Sequence, residues 1–124
     1  MADRWSLGYL IENGVISAGD APTSGCISSD GKNVYVNSSN SSVILIYNRD
    51  TLTGTLTLNS TTPVDPANPV SSYSKLLISQ DGKNVYVIGT GQTRIYDRNI
   101  STGLLTYSAL FGYGGICSAI SPDD

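Results

Sequence analysis

The side chains able to do chemistry are few in this sequence and lie far apart along it. There is no histidine, which removes the group that most often works as a general base near neutral pH. Glu12 is the sole glutamate, Asp30 and Asp81 each stand before a glycine, and Cys26 and Cys117 are the only two thiols. Hydrolytic chemistry needs a base or a metal-bound water beside donors for the reacting oxygen, and no stretch gathers such groups. The segments "SSDGKN", "NRD" and "SPDD" offer too few carboxylates for a Ca²⁺ loop, which takes about six to eight oxygen ligands. The cysteines form neither a CxxC pair nor a metal-ligand spacing, and both are expected as buried free thiols. On this reading the chain has no catalytic residue, no metal ligand and no cofactor.

Binding residues are equally sparse. Arg49 and Arg98 occupy matching places ahead of a Thr-Gly pair, and an arginine present in every unit is expected to bond within its own unit rather than hold a ligand. Four of the eight tyrosines, Tyr35, Tyr86, Tyr47 and Tyr96, recur in the same way and are expected to pack. Tyr73 and Tyr113 do not recur, and they remain the candidate binding contacts, because a loop tyrosine can stack on a sugar or anchor a partner. Asn37, Asn40, Asn59 and Asn99 open N-x-S/T matches, which arise readily in a chain rich in these residues, and no glycosylation is expected. A net charge of −3, with the seven Lys and Arg spread singly, gives no row of cations to neutralise phosphates, so nucleic acid is not an expected partner. No apolar run approaches the roughly 18 residues of a membrane span, and the first residues show no basic segment followed by an apolar core.

The elements that position these residues come from a repeat. The heptapeptide "DGKNVYV" is spelled at 30–36 and again at 81–87. Upstream, Ile27 and Ser28 match Ile78 and Ser79; downstream, "IYNRDTLTGTLT" falls on "IYDRNISTGLLT". A third start appears in "AISPDD", and "DRWSLGYL" near the N-terminus resembles the tail of a unit. A period of about 40–50 residues holding several short strands is the pattern of a propeller blade. Strands A to D are expected near 25–29, 33–37, 43–48 and 54–59 in the first copy, and over 76–111 in the second. Asp-Gly between A and B supplies the positive φ of a tight turn, and Val-Tyr-Val after it has strong β propensity. The C strand "SVILIY" is apolar without alternation, which suits a sheet covered on both faces.

These residues, "SxDGKNVYV" followed by "IYxRxxxTGxLT", resemble the YVTN-type repeats of lactonase-like β-propellers, a family related to phosphogluconolactonases and to bacterial surface-layer propellers. The resemblance covers nearly the whole chain. It implies an all-β fold of four-stranded antiparallel blades in a single repeat domain over 1–124: a trailing strand of a preceding blade in 1–18, blades at 24–60 and 75–111, and the first strand of a further blade in 116–124. About two and a half blades make an incomplete propeller, since the family's closed form usually has about seven.

A fold shared by enzymes and non-enzymes does not fix function. With no histidine and one glutamate, the expected function is a non-enzymatic binding or assembly scaffold. The alternative is a fragment of a lactonase-like enzyme whose catalytic residues lie outside this chain, and a second alternative is a lectin-like propeller. Open blade faces built from Val43, Ile44, Leu45 and Ile46 predict an apolar patch, hence a homo-oligomer through those faces or through terminal strands, most simply about a twofold axis. A sugar or small-molecule ligand is left open. The resemblance allows a periplasmic or secreted setting, and the residues alone assign no compartment.

Overall fold

The structure is a computed structural model that describes residues 15–38, 42–64, 75–89 and 92–111. The described residues form two four-stranded antiparallel sheets and no helix. The first holds β1 (Pro22–Ile27), β2 (Asn33–Ser38), β3 (Val43–Arg49) and β4 (Leu56–Pro63); the second holds β5 (Lys75–Ile78), β6 (Asn84–Gly89), β7 (Gln92–Arg98) and β8 (Leu105–Phe111). In each sheet the strands pair in chain order. This is the all-β, blade-by-blade architecture expected from the repeat.

Equivalent residues hold equivalent places. Tyr35 stands opposite Ile46 as Tyr86 stands opposite Ile95, and the third and fourth strands of each sheet share a bulge, at Ile46/Tyr47 and at Ile95/Tyr96. The A–B turns also match. Gly31 and Gly82 take φ of 73° and 74°, and Asp30 and Asp81 each accept the backbone N–H two residues on, at 3.0 Å. Ser28 and Ser79 close the same turns by receiving the N–H of Asn33 and Asn84, each at 3.0 Å.

Two strands differ from expectation at both ends: β1 begins at Pro22 rather than 25, and β4 at Leu56 rather than 54. β1 ends at Ile27 because Ser28 is already committed to the turn. β4 runs to Pro63, past the expected 59, because β3 is paired along its length, with Val43 opposite Pro63. Residues 15–18 are not strand. The rest of the expected leading strand in 1–18, and the expected strand in 116–124, lie outside the described residues.

The core sits between the two sheets. Tyr35, Ile44 and Ile46 of the first meet Leu76, Val85, Val87 and Tyr96 of the second, with Val64 and Leu105 closing the cluster. Full burial of such side chains contributes about 1.5–3 kcal/mol each. The most extensive strand contact between the sheets is β1 with β5, where Leu76 N–H donates to Ser24 Oγ at 3.0 Å.

Of the predicted apolar patch, Ile44, Leu45 and Ile46 are buried and Val43 is half-buried. Ile44 and Ile46 are covered by the second sheet, while Leu45 and Tyr47 point the other way and are buried too. Gly19 lies against Leu45, and Tyr47 Oη donates to Ser17 O. The segment before β1 therefore covers part of this face.

Gly54 and Gly103 are repeat equivalents with φ of 80° and 79°, but their surroundings differ. A Cβ at Gly54 would meet only Arg49 Nη2, at 3.9 Å, whereas one at Gly103 would stand 2.3 Å from Asn33 Nδ2 across the interface. Gly54→Ala should cost about 1–2 kcal/mol for its backbone conformation, and Gly103→Ala about 1–3 kcal/mol more for displacing Asn33. Urea unfolding of both variants checks this, and equal losses would show that the sheets are not packed as described.

Candidate functional site

The interface between the sheets has two chemically different ends. At the A–B turn end, Arg98 closes β7 and reaches across to the first sheet. Its Nε donates to Tyr35 Oη at 2.7 Å and its Nη2 to Asn33 Oδ1 at 2.7 Å, with the Asp30 carboxylate 3.2 Å away; Nη1 returns to Gly82 O of its own sheet at 3.0 Å. Tyr35 Oη in turn donates to Gly103 O at 2.7 Å. The Arg98 side chain is 1% exposed and that of Asp30 28%. Thus an arginine expected to bond within its own blade also joins two blades, and Tyr35 and Tyr96 pack between blades as the repeat predicts, with Tyr96 Oη on Pro63 O.

Electrostatics follow this geometry. Burial alone would push the Asp30 carboxyl up, but hydrogen bonds from Ser28, Lys32 N–H and Arg98, together with the Arg98 charge, outweigh it and hold the group at about 2. Burial pushes the Cys26 thiol up to about 12 despite the nearby Arg98, so this half-buried cysteine is an inert thiol at neutral pH. Cys117 and Glu12 lie outside the described residues. A groove of about 550 Å³ borders the clasp, lined by Lys32, Arg49, Asn59, Thr102 and their neighbours; its amides and cations could receive hydroxyls or an anion.

The B–C end is where the two copies part. Asn37 faces Ile88 in the alignment, Ile44 faces Thr93, and Leu45 faces Arg94. Arg94, Tyr96 and Arg98 alternate onto the face of β7 that meets the first sheet, and Asn33, Tyr35 and Asn37 onto the face of β2 that meets the second. Arg94 is 1% exposed and Asn37 fully buried. Arg94 Nη2 donates to Gln92 Oε1 at 3.0 Å, Asn37 Nδ2 donates to Thr23 Oγ1 at 2.8 Å, and Asn37 Oδ1 accepts no hydrogen bond among the described residues. Sequence reasoning about recurring residues missed both. The signal was available as a departure: a buried arginine in one copy where the other has leucine. The candidate contacts Tyr73 and Tyr113 lie outside the described residues, and among those described no cluster of His, Cys, Asp or Glu could hold a metal ion.

No protein-family model and no curated protein sequence matches the chain. Solved structures do. A protein of unknown function from Desulfotomaculum acetoxidans superposes with a TM-score of 0.66 at 24% identity, over 80% of this chain and 29% of its own. A candidate 6-phosphogluconolactonase from Bacteroides uniformis gives 0.65 at 21% identity, over 90% and 31%. The periplasmic gluconolactonase of Pseudomonas aeruginosa gives 0.64 at 18% identity, over 75% and 26%. The fold is that of the lactonase-like β-propellers. This chain spans less than a third of each of those structures. The expectation of a non-enzymatic scaffold is thereby corrected: the structures named for an activity are named as lactonases, which points to an enzyme family. The missing histidine misled, because the composition of a section does not bound the chemistry of the proteins it resembles.

Removing Arg98 would leave Asp30, Asn33 Oδ1 and Gly82 O without their charged donor. Arg98→Ala should therefore cost about 3–5 kcal/mol, and Arg49→Ala, at the half-exposed equivalent, under about 1 kcal/mol; chemical denaturation of the two variants compares them. The depressed Asp30 carboxyl sets a pH dependence. Its ordinary value is 3.8 and its folded value about 2, so its contribution is present above about pH 4 and is lost as pH falls toward 2. Melting followed from pH 6 to pH 2, a window of about four units around that transition, should show a shallower acid decline in Asp30→Asn than in wild type. An unchanged acid limb would remove Asp30 from the clasp.

Proposed function

We propose that this chain builds part of a lactonase-like propeller enzyme that opens a sugar lactone with water, and that substrate is met at the B–C end of the blade interface. One observation carries the placement: the copies agree at the A–B turn end, where Arg98 joins the blades, and diverge into buried polar groups at the other. The likeness to structures named as a candidate 6-phosphogluconolactonase and a gluconolactonase supports the reaction class. In that reaction water adds to the acyl carbon, the ring C–O bond breaks, and a hydroxy acid is released. Arg94 supplies a fixed positive charge suited to a carbonyl oxygen that gains charge, and Asn37 supplies an amide suited to a sugar hydroxyl. The group that activates water is placed outside the described residues.

The test is acid release from aldonolactones and their phosphorylated forms, followed at constant pH with the longest polypeptide that carries these blades. Hydrolysis above the spontaneous rate is expected. Arg94→Leu and Asn37→Ile each install the residue that the other copy holds, so the sheets should tolerate them, while kcat/KM falls about tenfold or more. No acceleration of any aldonolactone, with or without divalent cations, would overturn the reaction class. Unchanged kinetics in both variants would overturn the placement.

A further inference from the structure

The groove beside the clasp is walled by polar groups that the scaffold uses only in part. Buried Asn33 lies at its base with both ends of its amide committed: Nδ2 donates to Tyr47 O at 3.4 Å and to Asn48 Oδ1 at 3.1 Å, and Oδ1 receives Arg98 Nη2 at 2.7 Å. The exposed side chains around it keep open valences among the described residues. Asn48 gives its oxygen to Asn33, which leaves its Nδ2 as a donor. Asn59 Nδ2 spans the sheets to Thr102 O at 3.1 Å, which leaves its Oδ1 as an acceptor. Thr102 Oγ1 accepts the Leu104 N–H at 3.3 Å and keeps its own proton to donate. The Ser101 hydroxyl and the Lys32 ammonium have no partner among the described residues. Lys32 and Arg49 are the charged residues of the lining, and no carboxylate joins them there. Asp30 is held by Arg98 and Asp50 by the Leu52 and Thr53 N–H groups. Arg49 is anchored on Gly31 O at 3.1 Å, so its charge adds to that of Lys32 wherever the rest of its guanidinium is engaged.

The buried clasp residues recur in the repeat, but four exposed residues of the groove do not. Asn48 stands where the second sheet has Asp97, and Asn59 where it has Ser108; Ser101 stands where the first sheet has Leu52, and Leu104 where it has Thr55. The first of these exchanges is the most informative. Asp97 Oδ1 holds Asn84 Nδ2 at 3.0 Å just as Asn48 Oδ1 holds Asn33 Nδ2, so either residue serves the scaffold. Only asparagine does so while keeping a negative charge out of the groove and adding a donor. We propose that this groove binds a sugar acid, at the end of the interface opposite the proposed substrate position. Lys32 meets the carboxylate, Asn48 Nδ2, Ser101 and Thr102 donate to oxygens of the ligand, Asn59 Oδ1 receives a hydroxyl, and Leu104 offers its apolar surface to ring C–H groups. A bare anion would leave the amides and hydroxyls unused, and a neutral sugar would leave the charge unused. The volume of about 550 Å³ lies in the range of small-molecule sites. Both sheets line the groove and it lies at their turn end, so it exists whichever blades flank the pair, and it does not depend on the proposed reaction.

Amide chemical shifts of the full 124-residue chain, followed as D-glucuronate is added at constant ionic strength, test this directly. Saturable shifts are expected at Lys32, Asn48, Asn59, Ser101 and Thr102, with affinity for glucose and for acetate each lower by about tenfold or more. Asn48→Asp keeps the bond to Asn33 and sets a carboxylate in the groove, so it should weaken glucuronate binding by about tenfold or more. Lys32→Gln should weaken it as much, whereas Lys83→Gln, at the same position of the second sheet, should bind as wild type does. The dispersion of the amide spectrum shows whether each variant is folded, and should Asn48→Asp fail to fold, Lys32→Gln at an exposed side chain carries the comparison. Absence of saturable shifts would overturn the proposal, as would equal affinity for glucose or a folded Asn48→Asp or Lys32→Gln variant that binds like wild type. Shifts confined to the surroundings of Asn37 and Arg94 would assign the sugar acid to the other end of the interface and equally overturn the groove.

Discussion

A buried guanidinium governs this structure. Burying the Arg98 guanidinium unpaired would cost far more than any single apolar contact returns. The sheet pair must therefore bring acceptors to each of its nitrogens, and they come from both sheets: Tyr35, Asn33 and Asp30 from the first, Gly82 from the second. These directional bonds set the angle and register at which the sheets meet. The apolar cluster around Ile46, Val85 and Tyr96 supplies the larger share of the driving force, but apolar contact is non-directional and would tolerate a range of packings. The clasp selects one.

That constraint explains why the heptapeptide is spelled twice. Asp, Gly, Asn and Tyr in "DGKNVYV" each have a part in the clasp or in the turn that presents it. Lys32 and Lys83 have exposed side chains and contribute the backbone N–H that holds the aspartate. The fold was therefore legible in the sequence, because a blade cannot cover its own faces and the residues that join it to the next must recur with it. What was not legible was the reach of the arginine. Spacing places Arg98 at the end of its strand, but only the sheet-to-sheet geometry shows that the side chain crosses to Asp30. The covering of Leu45 and Tyr47 by the segment around Ser17 and Gly19 was hidden for a similar reason, since that segment repeats nothing.

Function was less legible, and for a physical cause. Recurrence draws the eye to Arg49, Arg98 and the paired tyrosines, yet a group that must appear in every unit is already committed to scaffold. A site met once has to be built from residues that break the pattern. Arg94 and Asn37 break it at buried positions, where a change of type is most costly and so least expected without a compensating use.

The two ends of the interface thus divide the work. At the clasp end each nitrogen of Arg98 has an acceptor within the pair of sheets, and the Asp30 carboxyl is held well below its ordinary value. At the opposite end the strands lead into the B–C and D–A connections, whose sequences differ between copies and can vary without disturbing the clasp. Polar atoms there are buried but less completely matched: Asn37 Oδ1 accepts no hydrogen bond among the described residues, while its amide nitrogen is fixed by Thr23. A buried acceptor left open costs about 1–3 kcal/mol, a strain that the firmly joined far end can absorb. A scaffold locked at one edge can carry such a cost at the other, which allows a propeller interface to keep its geometry while its polar end changes from one blade to the next.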